Sequence, residues 1–208
     1  MMIIDFLLPF VLGINLTTGI SIPKDFSCCT EVNSSYLMSP SGLQEINGTI
    51  LSEDTVSLLQ QNNLLALGIP KEHPLYNAEM DEQLKKRNEK AIYKYLGAKS
   101  FSRTVQSFFL LVEFEENEKH VRRFYMLNAN GHVILSIAQI AYWESGLPSH
   151  ITTVSEWSNN YLVIREVNYP DDIPDQDIAR EEIVLKLKIS DNAKMSCDII
   201  RPSLLITN

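Results

Sequence analysis

Cysteine and histidine are scarce in this chain, which leaves little material for a metal site or a disulfide framework. Its 208 residues include three cysteines and four histidines. Cys28 and Cys29 are adjacent and Cys197 is distant, so no zinc-type spacing occurs. Two interpretations stay open. Either Cys28 or Cys29 bonds to Cys197 and fixes the N-terminal arm to the sheet, or all three serve as small apolar side chains. No metal and no cofactor is predicted.

The histidines and the most acidic segment also lack a ligand pattern. The histidines are scattered, at His73, His120, His132 and His150. A hairpin folded about residues 129–130 places His120 opposite Gln139, several residues from the partner of His132. The segment 171–177 is rich in aspartate, but isoleucine stands at the third position and glutamine at the sixth, where an EF-hand requires glycine. We interpret it as an acidic surface loop.

Positive charge is scarce as well, since the formal net charge is −8. Lysine and arginine concentrate only between residues 71 and 123, where acidic residues are interspersed. Pairs such as Glu82–Lys86 have the i,i+4 spacing of a solvated helix face. Because phosphate binding needs clustered basic side chains, we expect no nucleic acid partner.

No apolar run reaches the about 20 residues that a transmembrane helix needs, so no integral membrane span is expected. The N-terminal run 3–14 has the length of a secretory h-region. The small-x-small pattern Gly19-Ile20-Ser21 predicts a signal peptide of residues 1–21 and a mature start at Ile22. No basic residue precedes the run and Asp5 interrupts it, so a buried N-terminal strand or helix is the alternative. We expect a secreted or cell-envelope protein, with a cytoplasmic location as the alternative.

Sequence signatures of catalysis are missing. The chain has no Gly-x-Ser-x-Gly elbow, no phosphate-binding Gly-Lys loop, no His-Glu-x-x-His and no dinucleotide fingerprint. Four glutamates surround a predicted turn, at Glu113, Glu115, Glu116 and Glu118. Charge at a turn normally serves solvation, whereas a paired-carboxylate hydrolase needs two acids about 5–9.5 Å apart in a cleft. We therefore name no catalytic residue and keep a hydrolase as the least favoured alternative.

The aromatic residues of the second half invite comparison with a sugar-stacking surface. They are Trp143 and Trp157, with Tyr142, Tyr161 and Tyr169. If residue 143 pairs with residue 150 in a hairpin, Trp157 lies about seven residues along the ladder, roughly 23 Å away. Packing in the core or at a sheet end is therefore the preferred interpretation.

The first half reads as an arm followed by helices. Residues 22–51 are polar and punctuated by proline and glycine, which is typical of an arm or loop with at most one short strand. Ser52-Glu53-Asp54 predicts a helix start, with an N-cap oxygen and acids in the first turn. That helix stops before Gly68. A second helix is predicted over 79–96, ended by Gly97.

The second half has the rhythm of an antiparallel sheet. Polar turn clusters at 128–131, 158–160 and 190–192 separate apolar segments about thirty residues apart. Asn130-Gly131 is a two-residue hairpin signal. The predicted strands are 105–114, 119–127, 132–143, 150–157, 161–168, 182–189 and 194–200.

Two of these strands differ in their apolar pattern. In 182–189 the leucines and isoleucines alternate with Lys186 and Lys188, which are expected to point to water. The strand 132–143 is apolar on both faces and should be covered on both. We therefore predict an α+β fold with one or two N-terminal helices followed by an antiparallel meander of about seven strands, curled or packed on both faces. A single domain spans 52–208, with a helical part at 52–97 and the meander at 102–200.

The segment Phe124-Tyr125-Met126-Leu127-Asn128-Ala129-Asn130-Gly131-His132-Val133-Ile134-Leu135-Ser136-Ile137, followed by a hairpin over 157–164, resembles small exported or envelope proteins of unknown function from Bacteroidetes-type bacteria. The likeness covers roughly 119–200. It implies hairpins behind an N-terminal export signal, and it transfers no catalytic residue. The chain departs from that group in lacking a basic n-region and a lipobox cysteine.

These observations favour a non-catalytic, exported or envelope-associated binding protein. It would act through its sheet surface or its loops on a protein, a glycan or an apolar ligand. A cytoplasmic interaction or immunity-like protein, with residues 1–20 built into the fold, is the second class.

Overall fold

The computed structural model describes residues 14–26, 31–32, 45–61, 90–116, 119–144, 152–158, 161–168 and 180–206. The elements in these ranges are one helix and ten strands. They are β1 (Ile14–Ser21), β2 (Thr49–Ile50), α1 (Glu53–Gln61), β3 (Ile92–Ser100), β4 (Val105–Glu116), β5 (Lys119–Asn130), β6 (Val133–Glu144), β7 (Thr152–Ser158), β8 (Tyr161–Asn168), β9 (Arg180–Ile189) and β10 (Met195–Ile206). All paired strands are antiparallel, so the predicted antiparallel sheet is confirmed.

The strands form two sheets instead of one continuous meander. The larger has the order β1-β6-β5-β4-β3-β2, and the smaller has the order β10-β9-β8-β7. The expected hairpin between β6 and β7 is therefore wrong, because the chain passes from one sheet to the other between these strands. Trp143 lies opposite Arg122 in the larger sheet, whereas Trp157 lies opposite Leu162 in the smaller one.

The helix predicted over 79–96 is wrong at its C-terminal end, where residues 92–96 belong to β3. Tyr93 and Tyr95 are buried on one face of this strand, and aromatic residues with such a two-residue period favour a strand. Gly97 has a φ of 141° beside an irregularity in the β3–β4 pairing, so it ends no helix. Residues 62–89, which contain the rest of the predicted helices, lie outside the described residues.

The predicted helix start at Ser52 is confirmed, because α1 begins at Glu53. The backbone N–H of Thr55 donates to Ser52 Oγ at 3.4 Å. Ser52 in turn donates its N–H and its hydroxyl to Asp25 Oδ2, at 2.8 and 2.6 Å. These hydrogen bonds from Ser52 hold the pKa of Asp25 below its usual value. No helix in the described part of the chain has the length and apolar character to cross a bilayer.

The N-terminal region contributes to the larger sheet. β1 pairs with β6, and β2, from the predicted arm, pairs with β3. A Cβ at Gly19 would lie 2.0 Å from Val133 Cγ1, so the close approach of β1 to β6 requires glycine there. Residues 1–13 of the predicted signal peptide lie outside the described residues. Cleavage after Ser21 would remove β1 from the sheet.

Buried apolar side chains cover both faces of the larger sheet. The helix face packs against α1 through Leu59 and includes Phe108, Leu110 and Val112 of β4. The inter-sheet face includes Phe109 and packs against the smaller sheet. The core-facing residues of the smaller sheet are Leu162, Ile164, Leu185, Leu187, Ile189, Ala193 and Met195.

Two irregularities in the β5–β6 pairing change which side chains share a face. The register shifts between Asn128 and Ala129 and again between Phe124 and Tyr125. Ile134 and Ile137 consequently both join the core of the helix face, although strict alternation would separate them.

The turn between β5 and β6 is Gly131-His132, one place later than predicted. Asn130 pairs with Val133, and Gly131 has a φ of 61°, a conformation that glycine adopts without strain. The observed pairing of β5 with β6 therefore differs from the pairing predicted for a hairpin folded about residues 129–130. Gln139 lies opposite Tyr125, and His120 lies opposite Glu115 on β4.

A row of uncharged polar side chains crosses one end of the inter-sheet face. Asn15, Ser136, Asn128 and Ser107 are successive cross-strand partners on β1, β6, β5 and β4, and we call them the neutral row. Ser107 donates a hydrogen bond to Asn128 Oδ1, and Asn128 Nδ2 donates to Ser136 Oγ at 3.0 Å. The last three side chains of the row are fully buried.

The neutral row holds the turn between β9 and β10 against the larger sheet. Ser136 Oγ donates to the carbonyl of Ala193 at 2.5 Å. The Asn15 amide donates to the Met195 carbonyl at 3.0 Å and accepts from its N–H at 2.8 Å. Near the same turn, Asn130 Nδ2 donates to the carbonyl of Asp191 at 3.1 Å. The two sheets are thus joined at this end by specific hydrogen bonds.

Candidate functional site

A second polar row crosses the opposite end of the inter-sheet face. Ile92, Glu113, Arg122 and Trp143 are direct cross-strand partners on β3, β4, β5 and β6. Directly opposed residues of an antiparallel pair share a face, and Glu113 follows Phe109 and Leu111 with a two-residue period. We call these four residues, with the adjacent Lys94 and His120, the charged row.

Glu113 is the centre of the charged row. Its carboxylate lies 2.5 Å from Lys94 Nζ through Oε2, and it accepts a hydrogen bond from Arg122 Nε at 2.8 Å through Oε1. His120 Nε2 is 3.7 Å from the same Oε1. The side chains of Glu113 and Arg122 are only 7% and 8% exposed, and that of Lys94 is 19% exposed. One carboxylate is therefore shared by two cations in a nearly buried position.

The ionisation of Glu113 follows from these contacts. Burial acts to raise the pKa of its carboxyl, but the hydrogen bonds and charges of Lys94 and Arg122 outweigh that effect and hold the pKa below its usual value. Glu113 is consequently a carboxylate at neutral pH. It can accept hydrogen bonds from a ligand, but it has no proton to donate.

An aromatic pair borders the charged row. The His120 and Trp143 rings have centroids 6.1 Å apart and are tilted by 56°. The Arg122 guanidinium carbon lies 5.7 Å from the Trp143 ring centroid, within the range of a cation–π contact. The His120 side chain is 37% exposed and Trp143 is partly exposed, so the row is open to solvent on this side.

Exposed aliphatic residues lie at the other end of the charged row, on β3 and β2. Ile92 is 49% exposed, and Ile50, which pairs with Lys94, is 68% exposed. The next row toward the core contains Leu111 and Phe124, which are fully buried. The charged row thus marks the point where the inter-sheet core ends and an accessible surface begins.

The charge cluster is a poor way to stabilise a fold. Withdrawing ions from water costs several kcal/mol per ion, and replacing a whole buried cluster with apolar residues is often neutral or stabilising. Removing only one member, in contrast, leaves a buried charge without its counter-ion. The composition of the row is therefore not explained by a net gain in stability.

A concave surface lies on the outer face of the smaller sheet. It is a groove of about 420 Å³ lined by Tyr161, Lys186, Lys188, Ile189, Ser190 and Ser196. Lys186 Nζ lies 3.6 Å from the Tyr161 ring centroid, and Lys188 Nζ lies 2.5 Å from Asp198 Oδ2. The prediction that Lys186 and Lys188 point away from the core is confirmed, because the leucines that alternate with them, Leu185 and Leu187, are buried.

The residues singled out from the sequence lie in different parts of the structure. Glu113 and Glu115 both lie on β4, with Glu113 buried and Glu115 exposed, so the interpretation of these glutamates as solvated turn charges is wrong for Glu113. Cys197 is a free, exposed thiol. Other residues considered in the sequence, namely His73, His150, Cys28, Cys29 and the acidic segment 171–177, lie outside the described residues. Among the residues that are described, no three histidine, cysteine or acidic side chains are grouped as metal ligands.

The sequence carries one signal that could have identified Glu113. It interrupts the apolar run from Phe108 to Phe114, where a solvated charge would be out of place. The roles of Lys94, Arg122 and Trp143 had no such signal, because they depend on the register of four strands. Comparison of the chain with protein-family models, curated proteins and solved structures finds no match.

Proposed function

We propose that this protein is a non-catalytic carbohydrate-binding protein whose ligand occupies the charged row. The single observation that supports this proposal is the nearly buried Glu113 carboxylate, held by Lys94 and Arg122 directly beside the partly exposed Trp143 ring. A binding site needs a few well-positioned polar groups beside an apolar surface, and the row provides both.

A glycan fits this combination better than an apolar ligand. Each sugar hydroxyl both donates and accepts hydrogen bonds. Glu113 supplies acceptor oxygens, while Lys94 and Arg122 supply donors, and their mutual contacts hold them in fixed positions. The C–H face of a pyranose can pack on the indole of Trp143, whose large apolar ring provides contact area at low entropic cost.

Binding is also a better match than hydrolysis. Glycoside hydrolysis requires a carboxylic acid that protonates the leaving oxygen, and such acids have raised pKa values. The pKa of Glu113 is shifted in the opposite direction, because Lys94 and Arg122 stabilise its charged form. Glu113 is therefore unsuited to act as the proton donor of this reaction.

Export to the cell envelope or the medium is the second element of the proposal, and it rests on the N-terminal apolar run and on the resemblance to exported proteins. A mature chain that begins at Ile22 would lack β1 and the Asn15 contact with Met195. Intact-mass measurement of the protein from its native host tests this element. A mass that retains residues 1–21 would contradict cleavage at this position.

The decisive experiment separates recognition from stability. The variant K94M/E113L/R122M replaces the whole ion cluster with apolar side chains of similar size, so we expect a melting temperature equal to or above that of the wild type. Wild-type protein is screened on an array of neutral and acidic oligosaccharides, and the hits are titrated by calorimetry. We expect the triple variant to bind no hit, while the control Lys99→Met, an exposed change on the same strand, binds as the wild type does.

Two results would overturn the proposal. A folded triple variant that retains wild-type affinity would show that the row does not contact the ligand. A wild-type protein that binds no oligosaccharide on the array would exclude the glycan class. The variant Trp143→Phe adds an optical readout, because ligand contact with the indole changes the fluorescence of the wild type and this change should be absent in the variant.

A further inference from the structure

We infer that the groove on the outer face of β8, β9 and β10 is a second binding site, which takes a small molecule carrying a phosphate, sulfate or carboxylate group. The groove lies on the opposite face of the smaller sheet from the inter-sheet core, so this inference is independent of the charged row. Its volume of about 420 Å³ lies within the about 300–1,000 Å³ typical of small-molecule sites.

The strand register brings the lining residues together. Tyr161, Lys188 and Ser196 are direct cross-strand partners on β8, β9 and β10. Lys186 and Asp198 are partners in the neighbouring row. Because successive side chains alternate between faces, Lys186 and Lys188 project on one side while Leu185 and Leu187 enter the core. Two ammonium groups are therefore presented from one strand beside a hydroxyl and an aromatic ring.

The two ammonium groups are ordered by different contacts. Lys186 Nζ is held over the Tyr161 ring at 3.6 Å, which fixes the ammonium without neutralising its charge. Lys188 is paired with Asp198, at 2.5 Å, and both side chains are about half exposed. Lys186, Lys188 and Asp198, the charged side chains described at the groove, thus give it one positive unit in a protein whose net charge is −8.

Asp198 acts as an internal competitor for the ligand anion. Hydrogen bonding to Lys188 holds the pKa of Asp198 below its usual value, so it stays ionised at neutral pH. An incoming anion takes the place of the Asp198 carboxylate at Lys188 and gains the charge of Lys186 as well. Ser196 offers a hydroxyl donor, and the Tyr161 ring offers apolar contact to the rest of the ligand.

The test is a titration of ¹⁵N-labelled protein by NMR with inorganic phosphate, inorganic sulfate, benzoate and phenyl phosphate. We expect saturable shifts that centre on residues 186–190 and 196, with phenyl phosphate tighter than inorganic phosphate. Lys186→Gln and Lys188→Gln are expected to weaken binding about fivefold each at low salt, the effect of one unit charge at about 4 Å in water.

Two further variants separate a built site from general attraction. Asp198→Asn removes the competitor and is expected to tighten binding about fivefold. Lys194→Gln makes the same charge change as the other lysine variants on the adjacent turn, outside the groove, and is expected to leave affinity unchanged. The variant K94M/E113L/R122M should bind these anions as the wild type does, so failure of the glycan proposal leaves this one standing.

Several outcomes would reject the inference. They are the absence of saturable shifts for all four probes at millimolar concentration, shifts centred away from the groove, and equal weakening by Lys194→Gln and Lys186→Gln. An unchanged affinity in Asp198→Asn would exclude the proposed competition. Comparison of the four probes identifies which anionic group is preferred.

Discussion

The two polar rows of the larger sheet lie on the same face but differ in the partners that satisfy them. The neutral row and the charged row lie six residues apart on β4, from Ser107 to Glu113, which corresponds to roughly 20 Å. The neutral row is satisfied by the backbone of the β9–β10 turn, through Ala193 and Met195. The charged row is satisfied mainly by its own members and ends at exposed side chains.

The difference between the rows shows that buried uncharged groups and buried ions have different energetic consequences. Hydrogen bonds between uncharged groups and a neighbouring backbone fix one docking geometry at little electrostatic cost. Buried ions that contact each other carry a large desolvation cost and gain no docking partner. The neutral row therefore joins the two sheets, whereas for the charged row this comparison supports the proposed role in recognition.

The largest expected effect comes from removing one member of the charged row. Glu113→Leu alone leaves Lys94 and Arg122 without their counter-ion and should lower the free energy of unfolding by about 3 kcal/mol. The triple variant K94M/E113L/R122M should lie within about 1 kcal/mol of the wild type or above it. Urea denaturation measures both. Equal destabilisation of the single and triple variants would contradict the proposal that the charged row, unlike the neutral row, adds little to stability.

The next largest effect is expected in the neutral row, because its members stabilise the fold. Asn128→Ala removes the partner of two buried hydroxyls, those of Ser107 and Ser136, and should cost about 2 kcal/mol. The same urea experiment measures this loss. Glycan and anion binding should persist in this variant as long as it is folded. The control Asn130→Ala, which loses one hydrogen bond near the surface, should cost less than half as much.

A smaller effect is expected where β1 contacts β10. In the chain that retains residues 1–21, Asn15→Ala removes two hydrogen bonds to the backbone of Met195 and should cost about 1 kcal/mol, with faster amide exchange at Met195. Thr18→Ala, an exposed change on the same strand, serves as the control. Unchanged exchange at Met195 in Asn15→Ala would contradict the docking role of the neutral row.

The pH dependence gives the finest comparison. The pKa of Glu113 is lower in the folded state than the ordinary value of 4.5, so its contribution to stability is present above that value and is lost as the pH falls through the folded pKa. Acid titration of thermal stability should therefore show a steeper loss below pH 4.5 for the wild type than for K94M/E113L/R122M. Parallel curves would show that the carboxylate is not held by its neighbours.

Much of the sheet could be predicted from the sequence because its rules are local. Turn clusters and alternation predicted β4 to β9 within a few residues, and β8 at its observed bounds, Tyr161–Asn168. The start of β10 was also predicted, but this strand extends to Ile206, beyond the predicted end at residue 200. β3 was missed because Ala91, Ile92 and Tyr95 also fit a helical spacing, and only the burial of Tyr93 and Tyr95 on one strand face decides between them. The alternation within β6 and β7 is the same whether they pair or not, so the division into two sheets was not predictable.

The charged row was still less accessible to prediction. Each of its members belongs to a different strand or a different position along it, and a register error of a few residues separates them. The predicted β5–β6 hairpin had such an error, because the turn lies at Gly131-His132 and the two irregularities in the β5–β6 pairing shift the register further. Only Glu113 carried a local signal, its charge within an apolar run.

The contact between Asn15 and Met195 has a consequence for synthesis of the chain. The two residues are separated by 180 positions, so the amide of β1 has no partner until β10 has left the ribosome. Contacts of such long sequence separation form late and slow folding. The neutral row therefore cannot complete its contacts with the β9–β10 turn before most of the chain has been synthesised.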